Sequence, residues 1–329
     1  GEEEAFVFPD SESYWELGSA FAEGRPYEFA ESRAFRTPGY PLLLAPLFVL
    51  FGEQPPVIAA RGLGALLGTM VVWGVGSLAW KLFDERAGLM AALLCALQPG
   101  AIAMSILVLS EALFCLLMIG QVLCWLAAAR SETRGRMLTF AALAGCVAAL
   151  ATLTRPSWLL FTPLAILVSL AFCSPRRKSL QIAGVMLAAL ALAMLPWWIR
   201  NALVLESFVP TTTQVGVSLY DGLHPGATGA SDMSFVPPMT EAFRSSQQWK
   251  QQQATVRFEV ALNQYFLHQA MRFAQENPTQ VARLAAVKFA RMWNIWPNKA
   301  SWRSWPLRLA VAIGYLPILA AALLGAVKF

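Results

Sequence analysis

Apolar stretches long enough to cross a bilayer alternate with short polar links along most of the chain. A span needs about 20 apolar residues, and on that measure the sequence predicts helices at 57–80, 87–99, 101–128, 137–154, 157–173, 179–199 and 307–327. Two of these are short. The run 87–99 closes on Gln98-Pro99 and 157–173 carries Pro163, so tilt, a kink or partial penetration is expected there. The run 40–51 is shorter still and reads as a re-entrant or interfacial helix. Within the polar stretch 200–306, residues 240–275 and 279–296 have amphipathic patterns, the second opened by Asn277-Pro278. Trp293, Trp296, Trp302 and Trp305 mark a return to the membrane interface. The expected architecture is an all-α polytopic membrane protein. Its parts are a first loop with juxtamembrane helices (1–56), a helical bundle (57–199), a long loop region (200–306) and a C-terminal span (307–329).

Charge in the short links sets the orientation. Lys81, Asp84, Glu85 and Arg86, then Arg130, Arg134 and Arg136, then Arg176, Arg177 and Lys178 fall in alternate connections. Excess Lys and Arg marks cytoplasmic loops, so segments 1–56 and 200–306 are expected on the extracytoplasmic side of a cytoplasmic membrane. The basic residues of 200–306 do not oppose this, because long loops escape the charge bias. A native N-terminus in the cytoplasm would then require one more apolar span before Gly1. The acidic opening at 2–4, without a Met, and the stop at Phe329 after an apolar run are expected of a trimmed chain.

Composition agrees with the pattern: 57% of residues are hydrophobic and 14% charged, which suits a membrane solvent. The net charge of +5 is spread over short loops, with no single basic patch for nucleic acid. Cys95, Cys115, Cys124, Cys146 and Cys173 all lie in apolar runs without CxxC spacing and read as small buried hydrophobes. Gly64 and Gly68, at small-xxx-small spacing, and the Ala-rich run 187–193 favour close helix packing. No internal repeat or inverted pair of broken helices is visible, which disfavours a secondary transporter.

Few residues could carry chemistry. Asp10 follows Pro9 and stands one helical turn from Tyr14, which is also the signature of a helix N-cap. Glu111 lies in the run 101–128, roughly two turns from its external end. A carboxylate there costs a few kcal/mol, so a functional role is the first hypothesis and a neutral or paired Glu facing the bundle the second. His224 in a Gly/Pro-rich loop reads as solvated, and Asp221 and Asp232 serve equally as turn formers or sugar contacts.

The order of several motifs adds a resemblance. Asp10-Ser-Glu-Ser-Tyr14, Glu23-Gly-Arg-Pro-Tyr27 and Arg36-Thr-Pro-Gly-Tyr-Pro41 resemble the first extracytoplasmic loop of GT-C fold glycosyltransferases of the family 39 type, which include protein O-mannosyltransferases and the aminoarabinose transferases of lipid A. Ser110-Glu111, Leu153-Thr-Arg-Pro156, Pro196-Trp-Trp-Ile-Arg-Asn201 and Gly216-Val-Ser-Leu-Tyr220 are similar to bacterial members. The resemblance implies a GT-C type bundle apparently lacking its first transmembrane helix, and a sugar donor carried on a polyprenyl phosphate. The acceptor hydroxyl would belong to a glycan, lipid or protein.

It assigns the general base to Asp10 and the second acidic position to Glu111, which would orient the acceptor, bind a divalent metal with Asp10, or hold an Arg. Arg36, Arg155 and Arg200 become candidates for the leaving phosphate, and each equally fits an interfacial Arg reaching headgroups. Tyr14, Tyr40 and Tyr220 of the matching motifs join the substrate-contact set. Asp10 is followed by Ser11, whereas the mannosyltransferase pattern sets two acids side by side, so acceptor and metal requirement stay open. A lipid transporter or flippase and a non-catalytic GT-C-like protein are the competing readings.

Overall fold

The structure is a computed structural model that describes residues 6, 8–172, 175–296 and 304–328; residues 2–4, Cys173 and Trp302 lie outside the described residues. Every element among the described residues is helical. In chain order they are α1 (Pro9–Glu23), α2 (Gly39–Phe51), α3 (Val57–Leu82), α4 (Glu85–Ala96), α5 (Pro99–Ile106), α6 (Glu111–Arg130) and α7 (Arg134–Thr154). A 3-10 turn (Pro156–Leu160) then runs into α8 (Phe161–Phe172), followed by α9 (Arg176–Leu205), α10 (Val215–Gly222) and a second 3-10 turn (Met233–Phe235). The chain closes with α11 (Val236–Arg244), α12 (Gln247–Gln252), α13 (Phe258–Glu276), α14 (Pro278–Met292) and α15 (Trp305–Lys328).

Two compact units result. The first takes Gly1–Phe29, Thr37–Pro196 and Ala310–Phe329, and the second takes Ala30–Arg36 and Trp197–Leu309. Among the described residues five helices, α3, α6, α7, α9 and α15, are long and apolar enough to span a membrane, and the pair α4–α5, bent by 61°, counts as a sixth if taken as one span. The protein is therefore a multi-pass, all-α membrane protein.

In the first unit two expected helices are redrawn. The run 101–128 does not form one helix: α5 ends at Ile106, residues 107–110 turn, and α6 begins at Glu111. Hydropathy is blind to this break because Leu107, Val108 and Leu109 are as apolar as the helices they separate. The expected span 87–99 supplies α4, which Gln98-Pro99 bends into α5, with Gln98 capping α5 from its side chain. The segment Pro156–Phe172 is helical but too short to count as a span.

In the first unit the basic links meet at one end. Arg130 Nη1 donates to the Lys81 carbonyl at 2.6 Å, and Lys178 Nζ donates to the carbonyls of Ala129 and Ser131 at 2.7 and 2.8 Å. Cations thus satisfy carbonyls that the helix ends leave without partners. Helix α7 forms the centre, burying Ala141, Ala144, Ala148, Ala149 and Ala151, residues small enough to bring helices close. Leu164, Leu167, Val168 and Phe172 of α8 stay exposed, as a lipid-facing surface does.

The glycine pair singled out by spacing does what that spacing suggests. A Cβ on Gly64 would lie 2.2 Å from the Ser105 carbonyl oxygen, and one on Gly68 would lie 2.7 Å from Ser105 Cβ. Helix α3 therefore seats the last turn of α5, immediately before the 107–110 turn. Gly64→Ala is expected to lower the thermal midpoint in detergent by several degrees, since backbone must move. Gly62→Ala, where an added Cβ meets nothing, is expected to hold or raise it, because Ala costs about 0.5–1 kcal/mol less than Gly in a helix. Equal shifts in the two variants would reject this seat.

The second unit is built around α13. Its predicted single helix 240–275 is instead α11, α12 and α13, because Ser245 ends one helix and Ser246 caps the next, its hydroxyl accepting from Trp249 N at 3.1 Å. Helix α10 lies on α13 through Tyr220, whose ring meets Phe235 at 5.1 Å and Phe266 at 5.7 Å. The loop Ala30–Arg36 is fastened to Glu259 of α13, which accepts from Ser32 Oγ, Arg33 N, Ala34 N and Thr213 Oγ1 at 2.6–3.2 Å.

Candidate active site

At the end of the first unit opposite the basic links, four pieces of chain converge: α1, the start of α2, the 107–110 turn with the start of α6, and the end of α7. Helix α1 begins with Pro9 at a position that needs no N–H donor and with Asp10 and Glu12 in the first turn, where the helix dipole favours acids. Phe8 is its N-cap and makes no side-chain cap bond, so Asp10 is not the cap its spacing suggested. Its carboxylate lies on the exposed side of the first turn, while its backbone carbonyl accepts from Ser13 Oγ at 2.7 Å.

One turn on, Tyr14 is buried, and its hydroxyl shares a 3.2 Å hydrogen bond with Ser110 Oγ. Its ring stands edge-on to Tyr40 at 5.0 Å, and both pack with Leu44, Ala60 and Val108. Burial, with the nearby Tyr14 and Glu111, raises the Tyr40 phenol above its ordinary range and keeps it protonated.

Gly39 of the Arg36-Thr-Pro-Gly-Tyr-Pro41 motif is required by contact. An added Cβ would sit 2.7 Å from both Leu153 O and Thr154 Oγ1, so α2 can start only against the last turn of α7. The next residue is Arg155, held extended at the end of that helix. Its Nη1 donates to Glu111 Oε1 at 2.6 Å, and its guanidinium lies 5.8 Å from the centre of the Phe114 ring. Burial works against the Arg155 charge, but the Glu111 carboxylate more than reverses this and raises its pKa, with smaller help from Tyr14 and Asp10. Glu111 Oε2 is buried and has no hydrogen-bond partner.

Glu111 is thus the first residue of α6 rather than a mid-helix acid, and it holds an Arg, one of the three roles open to it. The pair uses one of the five N–H donors a guanidinium carries. What the site offers chemically is a fixed cation beside a carboxylate, tied through Ser110 and Tyr14 to a helix whose first turn bears a second, exposed carboxylate. Among the described residues no group of three or more His, Cys, Asp or Glu is placed to hold a metal ion.

Residues 35–199, half of the chain, match the family described as dolichyl-phosphate-mannose-protein mannosyltransferase. The chain belongs to this mannosyltransferase family. It is therefore a membrane glycosyltransferase of the GT-C type, for which the family implies a lipid-linked sugar donor and a glycan or protein acceptor. Neither a curated protein nor a solved structure matches it significantly. Arg36, Tyr40, Glu111 and Arg155 fall within the mannosyltransferase match; Asp10, Tyr14, Arg200 and Tyr220 fall outside it.

The remaining candidates of the mannosyltransferase reading belong to the second unit. Arg36 lies over the Phe35 ring at 4.8 Å. Arg200 donates to the Arg33 carbonyl at 2.6 Å and to Asn201 Oδ1 at 3.0 Å, and lies over Trp197, so it fastens a loop. Tyr220 packs in the α10–α13 aromatic cluster with His224. Asp221 and Asp232 are turn formers: Asp221 accepts from Asp232 N and Asp232 from Ser234 N.

Ser110 stands in a matching motif without an assigned role, and Gln121 is not singled out by the sequence at all. Gln121 is fully buried in α6, accepting from Trp158 Nε1 at 2.6 Å and donating to Thr162 Oγ1 at 2.9 Å. Trp158 in turn meets Phe114 edge-on, the ring on which Arg155 rests. A lone Gln inside an apolar helix was the available signal.

Proposed function

We propose that the protein moves a sugar from a polyprenyl-phosphate carrier to an acceptor hydroxyl at the extracytoplasmic face of a cytoplasmic membrane, with Asp10 as general base. The observation that carries this reading is the Glu111–Arg155 pair, beside which α1 is moored by Tyr14 and Ser110, at the end of the bundle away from the Lys/Arg links. A phosphate is an anion whose charge grows as it leaves, and a guanidinium with unused donors stabilises that charge. Glu111 holds Arg155 in place without cancelling all of its donors.

The step balances as a single displacement. The acceptor oxygen forms the new bond to the anomeric carbon, the bond from that carbon to the phosphate oxygen breaks, and the acceptor proton passes to the Asp10 carboxylate. One displacement inverts the anomeric configuration. Tyr40, kept protonated, remains a hydrogen-bond donor at the same end of the bundle.

The test is reconstitution of the protein in proteoliposomes with a polyprenyl-phosphate-linked mannose and a mixed glycan and protein acceptor extract. The expected result is acceptor labelling with inverted configuration. Carrier translocation without labelling would instead establish a flippase, and retention of configuration would remove the single displacement.

A further inference from the structure

We propose that the second unit carries a separate binding pocket for an anionic saccharide, a sugar or short glycan bearing a carboxylate or phosphate. A cavity of about 460 Å³ opens between the loop Ala30–Arg36 and α10, α11, α12 and α13, within the range of about 300–1,000 Å³ in which proteins hold small ligands. Its lining combines aromatic rings with cations: Phe35, Trp249 and Phe258 with Arg33, Arg244 and Arg257. None of these belongs to the site described above.

The charge balance selects the ligand. Glu259 lines the cavity, but its two oxygens take four donors from Ser32, Arg33, Ala34 and Thr213, which offsets its repulsion of an anion. The other acid of the lining, Glu31, has a side chain 88% exposed and reaches Arg244 only at 3.9 Å, a contact that a better-placed anion can replace. Arg257 holds Glu206 through Nη2 at 2.7 Å, and its other donors remain for a ligand. Arginines matched to a carboxylate or phosphate are the strongest recognition elements on this wall.

The rings select the rest of it. Trp249 and Phe258 stand edge-to-face at 5.0 Å, and the Arg244 guanidinium lies 4.6 Å from the centre of the Phe258 ring. An aromatic corner accepts the apolar C–H face of a pyranose while the adjacent guanidinium takes its acidic substituent. The Thr240 hydroxyl, on the same wall, is buried without a partner, leaving an unmet hydrogen-bonding demand beside the cavity. The rim is strained: Ala30 and Glu31 hold φ of 47° and 65°, values that side-chain-bearing residues adopt only where the surroundings enforce them. The Glu259 clamp holds the three residues that follow, Ser32, Arg33 and Ala34.

The choice of a saccharide rests on the glycosyltransferase reading, and the experiment keeps the two apart. Binding of glucuronic acid, glucose and inorganic phosphate to the full chain in detergent is measured by calorimetry, without turnover. Glucuronic acid is expected to bind saturably, with about a tenfold loss for Arg244→Gln and for Trp249→Leu, while Asp10→Asn binds as the wild type does. Circular dichroism establishes that each variant is folded, and the exposed Arg244 makes its variant the safer of the two. Equal affinity for glucose removes the anionic requirement, and equal affinity for phosphate removes the saccharide. The pocket itself falls if glucuronic acid does not bind saturably, or if it binds both pocket variants as tightly as the wild type.

Discussion

Asp10→Asn is expected to slow sugar transfer by about 100- to 10,000-fold, the range a positioned general base contributes, while the protein stays folded. The substitution keeps the shape and removes the basic oxygen with its charge, including the small support that charge gives Arg155. Pro9 still opens α1, and the Ser13 bond to the Asp10 backbone carbonyl does not depend on the side chain. The lost acid in the first helical turn costs about 0.3–1 kcal/mol, a small shift in thermal midpoint. Transfer rate and midpoint measured on the same preparation decide the matter. Wild-type transfer by Asp10→Asn would take the base away from this residue, and a collapsed midpoint would make Asp10 a structural acid.

The second large effect is at Arg155. Arg155→Gln is expected to lower transfer by about 100- to 1,000-fold, as loss of one preorganised group facing a developing charge does. It also leaves Glu111 with one oxygen buried and unpartnered and the other deprived of its donor. The resulting destabilisation is expected at about 1–3 kcal/mol, below the 3–5 of a fully buried pair, because the Arg155 side chain is 39% exposed and that of Glu111 35%. The double variant Arg155→Gln/Glu111→Gln separates the two roles, since two amides can bond each other. Stability is expected to return and activity to stay lost. Recovery of both would mean that the pair serves the fold alone.

The sequence and the structure part company at identifiable places. The alternation of Lys/Arg-bearing links was legible because charge in short loops is a local property, and Arg130 and Lys178 indeed meet carbonyls at one end of the bundle. Gly64 and Gly68 were legible because spacing four apart defines a helix face. Where α6 begins was not, since a turn made of Leu107, Val108 and Leu109 leaves no polar mark. That Glu111 holds an Arg is one of three roles the sequence leaves open, as Arg155 lies 44 residues away. Nor does any local pattern join Glu259 to Ser32 across 227 residues; Arg200, placed by motif among phosphate ligands, holds that same loop. Of the candidate set, Asp10, Tyr14, Tyr40, Glu111 and Arg155 lie in the first unit, and Arg36, Arg200 and Tyr220 in the second.

The bond between Tyr14 and Ser110 has a kinematic consequence. Tyr14 is wedged against Tyr40, Leu44 and Val108, and Ser110 is the residue before Glu111, so α1 is tied directly to the start of α6. Parting α1 from α6 costs this hydrogen bond, about 0.5–1.5 kcal/mol, together with the packing around the Tyr14 ring. The same contacts set the spacing between the proposed base on α1 and the proposed phosphate anchor, which Glu111 holds.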